Sequence, residues 1–277
     1  MDEYVRVMVD RLEKESEEIR SKADRDGVPD LLAASSLLDR AVFHLKRYLS
    51  EPCPSIPVVA SAGEMLDIEI EEDLLEANRR IAARNREILA QHHVKAIDVM
   101  GAIGSGKTSL IAVMVERLQG RARVGMLGGD VATSIDADRV REKGAETLQI
   151  NTGKECHLDA NLVRRALESL DLDEIDLLFV ENVGNLICPS EFDLGCDQRL
   201  VVVSVTEGDS MIVKHPMMFV DADVVAVNKV DMAEAFGTDM GKIEADLRGL
   251  NSRAVSVRTS AKLGQGIDRL LVALDLA

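Results

Sequence analysis

Residues 101–109 read GAIGSGKTS. A short apolar run, KAIDVM at 95–100, precedes them, and SLIAVMVERLQG at 109–120 follows with apolar residues at helical spacing. The stretch fits G-x-x-x-x-G-K-S/T between a strand and a helix. In that turn, glycines let backbone N–H groups wrap phosphate oxygens. Gly101, Gly104, Ser105 and Gly106 would form the wrap. Lys107 can reach the β- and γ-phosphates, the Thr108 hydroxyl can ligate Mg²⁺, and Ser109 opens the helix. A nucleoside triphosphate is the expected ligand.

Downstream, short apolar runs alternate with helical stretches: VGMLG, TLQI, DLLFV, LVVVSV, VVAVN and AVSV. With KAIDVM they make about seven strands. Runs without polar alternation, separated by helices, are the pattern of a mainly parallel sheet covered on both faces. The expected class is therefore α/β. Upstream, EEDLLEANRRIAARNREILAQ at 71–91 reads as an amphipathic helix, with Leu74, Ala77, Ile81, Ile88 and Leu89 toward the apolar side. Residues 2 to 50 also read as helical, and EPCPSIP at 51–57 reads as a linker. This divides the chain into a helical extension with linker at 1–58 and a nucleotide-binding domain at 70–277.

Apolar residues make up 46% of the 277, enough for a substantial core, and with 3% aromatics that core must be aliphatic. A net charge of −16 argues against nucleic acid as a partner, because neutralising phosphates needs a basic face. No stretch approaches the ~18 apolar residues of a membrane span. The first residues are charged and lack a signal-peptide core. A cytoplasmic protein is expected, in which cysteines are free thiols or metal ligands.

The base can be read as well. VVAVNKVD ends a strand with Asn228, Lys229 and Asp231 and resembles the N-K-x-D guanine-recognition motif of GTPases. A carboxylate at Asp231 can accept from the guanine ring N–H and its exocyclic amine, a pair that adenine lacks. TSAK at 259–262, with Ser260, Ala261 and Lys262, resembles the motif whose backbone meets the guanine oxygen. Between these lies ENVG at 181–184, where GTPases usually carry D-x-x-G; Glu181 would hold Mg²⁺ directly or through water. Asp130 and Asp136 are further Mg²⁺ ligand candidates in the first switch region. Lys107, Asp130 and Glu181 are the expected catalytic groups.

NTGKECHLDA at 151–160 holds adjacent Cys156 and His157, and ENVGNLICPS at 181–190 holds Cys188. Taken alone, these could be a buried thiol and a packed imidazole, or a metal site. In order along the chain, GAIGSGKT, NTGKECHLDA, ENVGNLICP, EGD with KHP, and NKVD resemble the HypB-type hydrogenase nickel-incorporation GTPases. The resemblance runs from about residue 73 to the end. It implies a phosphate-binding-loop GTPase fold of the SIMIBI class. It also implies GTP/GDP and Mg²⁺ as ligands, and a Ni²⁺ or Zn²⁺ site formed by Cys156, His157 and Cys188 at the interface of a homodimer that GTP promotes. Thiolates and imidazole suit such ions, and a two-fold axis would complete a shell that one chain leaves short.

The same resemblance implies a nickel chaperone and the hydrogenase large subunit as partners, with Met232 and Phe236 packing across the dimer and Lys214 reaching the partner's nucleotide. No catalytic Gln or arginine finger stands at a known position, so turnover is expected to be slow. Cys53 and Cys196 read as a loop thiol and a core thiol; His44, His92 and His93 read as packed or solvated. The urease nickel-delivery GTPases are the nearest rival, but their Cys-Pro-His is absent. A GTP switch without a metal role is the alternative from another class.

Overall fold

The structure is a computed structural model that describes residues 71–129, 135–150 and 157–277, with only the backbone at 71–74 and 135–137. Lys14, Glu17, Ile19, Ser21 and Lys22 are also described, all helical. The rest of the expected N-terminal helix, the linker, His44, Cys53, Asp130, Cys156 and the side chain of Asp136 lie outside the described residues. The chain divides into two units, Met1–Asp67 and Ile68–Ala277. Seven strands occur among the described residues, all in the second unit.

Those strands are β1 (Lys95–Met100), β2 (Val124–Gly129), β3 (Glu146–Ile150), β4 (Leu177–Glu181), β5 (Gln198–Ser204), β6 (Val224–Asn228) and β7 (Val255–Arg258). They form one sheet in the order β3-β2-β4-β1-β5-β6-β7, and every pairing is parallel. Parallel neighbours need crossovers, and helices supply them. Because helices then cover both faces, β2 and β6 are buried at every position, whereas the edge strands β3 and β7 begin exposed. Continuous apolar runs in the inner strands follow from this double cover.

Side chains alternate across β1. Ile97 and Val99 face a core shared with Leu110, Ile111 and Met114 of α2 (Lys107–Leu118) and Leu270 of α9 (Ile267–Ala273). Ala96 belongs to a second core with Leu89 of α1 (Glu71–Gln91) and Val163 of α4 (Ala160–Leu167). Met100 belongs to a third, with α5 (Met211–Lys214), α6 (Met217–Val220) and α8 (Met240–Leu250). Asp98 shares its face with Ala96 and Met100, so a carboxylate sits at the seam of two apolar cores.

The buried stripe of α1 differs from the expected one. Asn78, Ala82, Asn85 and Leu89 are buried, while Ala77, Ile81 and Ile88 are only half-buried and the Leu74 side chain is outside the described residues. Asparagine is tolerated there because its amide meets backbone groups. Asn78 Nδ2 donates to Asp193 O (2.7 Å) and its Oδ1 accepts from Ala160 N (2.8 Å). Asn85 Nδ2 donates to Ala160 O (2.8 Å) and Leu194 O (3.0 Å). Among the described residues no helix is long and apolar enough to cross a membrane.

Candidate functional site

The phosphate loop leaves the C-terminal end of the central strand β1, where open parallel sheets bind ligands. Gly106 takes φ 100° immediately before α2. A Cβ there would stand 2.3 Å from Asn228 Nδ2, so only glycine fits. Lys107 Nζ donates to Gly101 O (3.1 Å) and Ala102 O (3.2 Å) within the loop. Ser105 Oγ is buried without a hydrogen-bond partner among the described residues. Thr108 Oγ1 donates to Glu181 Oε1 at 2.8 Å, joining the first turn of α2 to the end of β4. Two hard oxygens that close, one of them anionic, are a donor set suited to Mg²⁺. A cavity of about 350 Å³ opens over these groups, lined in part by Gly106, Lys107, Thr108, Ser109, Glu181 and Lys229.

The NKVD segment is built into the same loop. Asn228 Nδ2 donates to Ser105 O (2.9 Å), and its Oδ1 accepts from Ala261 N (3.2 Å) and Thr259 Oγ1 (3.3 Å). One buried amide thus fastens the phosphate loop, β6 and the TSAK turn together. Lys229, at φ 60°, sends Nζ to Gly104 O at 2.6 Å. Asp231 is exposed in a 3₁₀ turn at Val230–Met232. Ser260 is buried and its Oγ accepts from Leu263 N (3.2 Å), whereas Lys262 is exposed. Glu207 Oε1 accepts from Ser204 N (3.0 Å). Burial raises its pKa above the ordinary range, while that backbone N–H and the charges of Lys229 and Lys107 pull it back down.

His157 is half-buried, and its ring stacks on Phe192 with centroids 4.0 Å apart and planes at 26°. Cys188 is half-buried and starts a 3₁₀ turn, Cys188–Glu191. Among the described residues no group of three metal-ligating side chains converges, and Cys156 is outside them. The Cys196 thiol packs against the core of α1 and α4. Burial there, reinforced by Asp98, Asp193 and Asp197, pushes its pKa well up, a protonated thiol rather than a ligand thiolate. His92 Nδ1 lies 2.7 Å from Asp173 Oδ1. Lys214, Met232 and Phe236 are all exposed, with Phe236 closing α7 (Ala233–Phe236).

The CobW/HypB/UreG nucleotide-binding domain matches residues 95–258. The probable hydrogenase maturation factor HypB of Methanocaldococcus jannaschii is 50% identical over 208 residues, covering 75% of this chain and 94% of that one. The chain belongs to the HypB family. The HypB crystal structure from Archaeoglobus fulgidus superimposes with a TM-score of 0.68 at 45% identity, covering 72% of this chain and 98% of that one. HypB from Helicobacter pylori in complex with nickel gives 0.67 at 34% identity, covering 70% and 91%. The fold is therefore that of a SIMIBI-class phosphate-binding-loop GTPase, as the motifs of the phosphate loop and NKVD predict.

Within this HypB-family chain, several site residues carry no motif signal. Arg139 of α3 (Ile135–Arg141) and Gln149 of β3 both line the nucleotide cavity. Asn182, buried beside Glu181, lines it too. Its Oδ1 accepts from Leu158 N (3.1 Å) and Val183 N (3.0 Å), and its Nδ2 donates to Asp98 Oδ1 (3.3 Å). Asp98 is held up at a pKa of about 6 by burial, against the pull of Arg199, whose Nε is 3.7 Å from Oδ2, and of the Asn182 bond.

Proposed function

We propose that the chain is a GTP-hydrolysing metallochaperone. It carries nickel, or zinc, at a homodimer interface and assists nickel insertion into nickel–iron hydrogenase. The observation that carries this reading is the continuity of one segment. Glu181, bonded to Thr108 at the phosphate loop, and Cys188 are seven residues apart with only residues 182–187 between them. Whatever orders Glu181 acts on a potential thiolate ligand through a short tether.

In this reading residues 70–277 are the working domain and 1–58 an appended helical extension. Asp231 selects guanine through two accepted hydrogen bonds, and the backbone at Ala261 meets the guanine oxygen, with Ser260 and Lys262 shaping that turn. Gly101, Gly104, Ser105, Gly106 and Ser109 enclose the phosphates. Lys107 balances charge as the γ-phosphate departs, an electrostatic role. Thr108 and Glu181, with Asp130 and Asp136, would hold Mg²⁺, which when bound neutralises charge on the β- and γ-phosphates. Cys156, His157 and Cys188 take the cargo metal, as thiolate and imidazole donors suit Ni²⁺ and Zn²⁺. Exposed Met232 and Phe236 pack across the GTP-promoted dimer, and Lys214 reaches the partner's nucleotide. Turnover is slow, and the partners are a nickel chaperone and the hydrogenase large subunit in the cytoplasm.

The test is an anaerobic Ni²⁺ and Zn²⁺ titration in Mg·GDP and in a non-hydrolysable Mg·GTP analogue. Binding whose affinity depends on the nucleotide is expected. Equal affinities in the two states would remove the coupling, and no binding in either would remove the metal role.

A further inference from the structure

The Glu181–Cys188 segment accounts for one metal-ligand candidate. The loop that carries Cys156 and His157 comes from a different part of the chain and needs its own link to the nucleotide. We infer that Asn182 is that link, a positioning residue that couples the nucleotide cavity to the Cys156–His157 loop. The inference rests on the proposed function and specifies how its two sites communicate.

Asn182 follows Glu181, whose Oε1 accepts from Thr108 Oγ1 at 2.8 Å, and its own backbone N donates to Val99 O of the central strand at 3.0 Å. It is 1% exposed, yet it lines the nucleotide cavity. Its side-chain carbonyl accepts from the backbone N–H of Leu158 at 3.1 Å, one residue from His157 and two from Cys156. The amide nitrogen is anchored on Asp98 Oδ1 at 3.3 Å, so the ring of contacts cannot rotate freely. Leu158 is fully buried and makes the second half of the joint. A Cβ on Gly129 would stand 2.7 Å from Leu158 Cδ1 and 2.9 Å from Glu181 O, so the missing side chain at Gly129 lets the leucine sit against the end of β2 beside the Glu181 backbone. A rotation or shift of β4's end that follows a change at Thr108 and Glu181 therefore moves a buried acceptor. Leu158 N–H must follow it or lose its buried acceptor, which is costly. Such a two-ended dependence is what linkage between sites requires.

The experiment compares Ni²⁺ affinity in Mg·GDP and in a Mg·GTP analogue for wild type and Asn182→Ala. Coupled sites typically differ roughly 5- to 150-fold between ligand states, and the variant is expected to bring that ratio to within about twofold of one, whatever its absolute affinities. A merely structural role would weaken both affinities and leave the ratio unchanged. A variant ratio equal to wild type overturns the inference and leaves the proposed function standing. A wild type without nickel binding overturns both, and a wild-type ratio of one overturns the inference together with the nucleotide coupling of the proposed function while leaving its metal role. If the variant does not fold, hydrogen exchange of the Leu158 amide in the wild-type protein decides. Slower exchange in the Mg·GTP analogue than in Mg·GDP supports the link, and identical exchange overturns it.

Discussion

Replacing Asp98 with asparagine should give a variant whose stability, measured relative to wild type, rises with pH. The carboxyl is buried at the seam of two apolar cores, and its pKa rises from 3.8 to about 6. That rise corresponds to ~3 kcal/mol, because each pH unit is worth about 1.4 kcal/mol. The sign follows from proton counting. Between pH 3.8 and about 6 the folded state binds more protons at this site than the unfolded chain, so stability falls as pH rises through that window. Above it the full penalty is present. The substituted amide cannot titrate, so the variant-minus-wild-type difference in unfolding free energy should increase with pH, by on the order of 1–2 kcal/mol from pH 5 to pH 8, about half the total. Any difference between the neutral amide and the neutral carboxyl is a constant offset, and the pull of Arg199 on the carboxylate is already contained in the pKa of about 6. Urea unfolding at closely spaced pH values, variant beside wild type, measures it. The N-terminal unit is common to both proteins and cancels. A difference that is flat across this range, or that decreases with pH, would refute a buried carboxylate at this seam.

Cys188→Ala should retain GDP binding while weakening Ni²⁺ binding by more than the roughly 10- to 100-fold that an outer hydrogen-bonding partner is worth; titration by calorimetry reads both. Asp231→Asn should weaken GTP binding by about 1.5–3 kcal/mol, the value of hydrogen bonds to a charged group, and should favour xanthosine triphosphate, whose 2-carbonyl can accept from an amide. Competition binding with the two nucleotides shows this, and unchanged GTP affinity would move guanine recognition elsewhere. Arg139→Ala should slow single-turnover GTP hydrolysis by roughly 10-fold or more, short of the 10³-fold and above that an inserted arginine finger supplies. Its GDP affinity should stay as in wild type, and an unaltered rate would make Arg139 a wall of the cavity only.

The strands were legible because parallel strands covered on both faces must be apolar throughout, and the phosphate loop and NKVD were legible because each carries its chemistry within a few consecutive residues. The partners those motifs meet were not. Asn228 reads as part of a base-recognition motif, yet it also holds Ser105 O from 123 positions away in the chain. On α1, periodicity pointed to leucines and isoleucines. The buried places at 78 and 85 are taken by asparagines whose acceptors and donors lie 75 to 115 positions downstream. A hydropathy pattern ranks an amide as polar because it cannot see those partners. Arg139 and Gln149 come to the cavity from α3 and β3, elements with no motif of their own. The metal candidates lie on two separate stretches of chain, and their relation in space is a tertiary property that no local pattern encodes; Cys156 falls outside the described residues.

The buried asparagines follow one physical logic. An amide offers a donor and an acceptor together and does not titrate, so it can fix backbone atoms from two segments without adding charge to an already acidic protein. Asn78 and Asn85 hold Ala160, just past His157, and the 193–194 backbone that follows Cys188. Asn182 holds Leu158 from the other side. The chain just after each metal candidate is thus fastened to the sheet or to α1 by neutral bonds, while His157 and Cys188 themselves remain half-buried. For the proposed metal role, fixing the chain beside His157 and Cys188 would lower the ordering entropy of capture. Asp98 is the charged member of this buried set, and its raised pKa marks what an ion costs where an amide costs little.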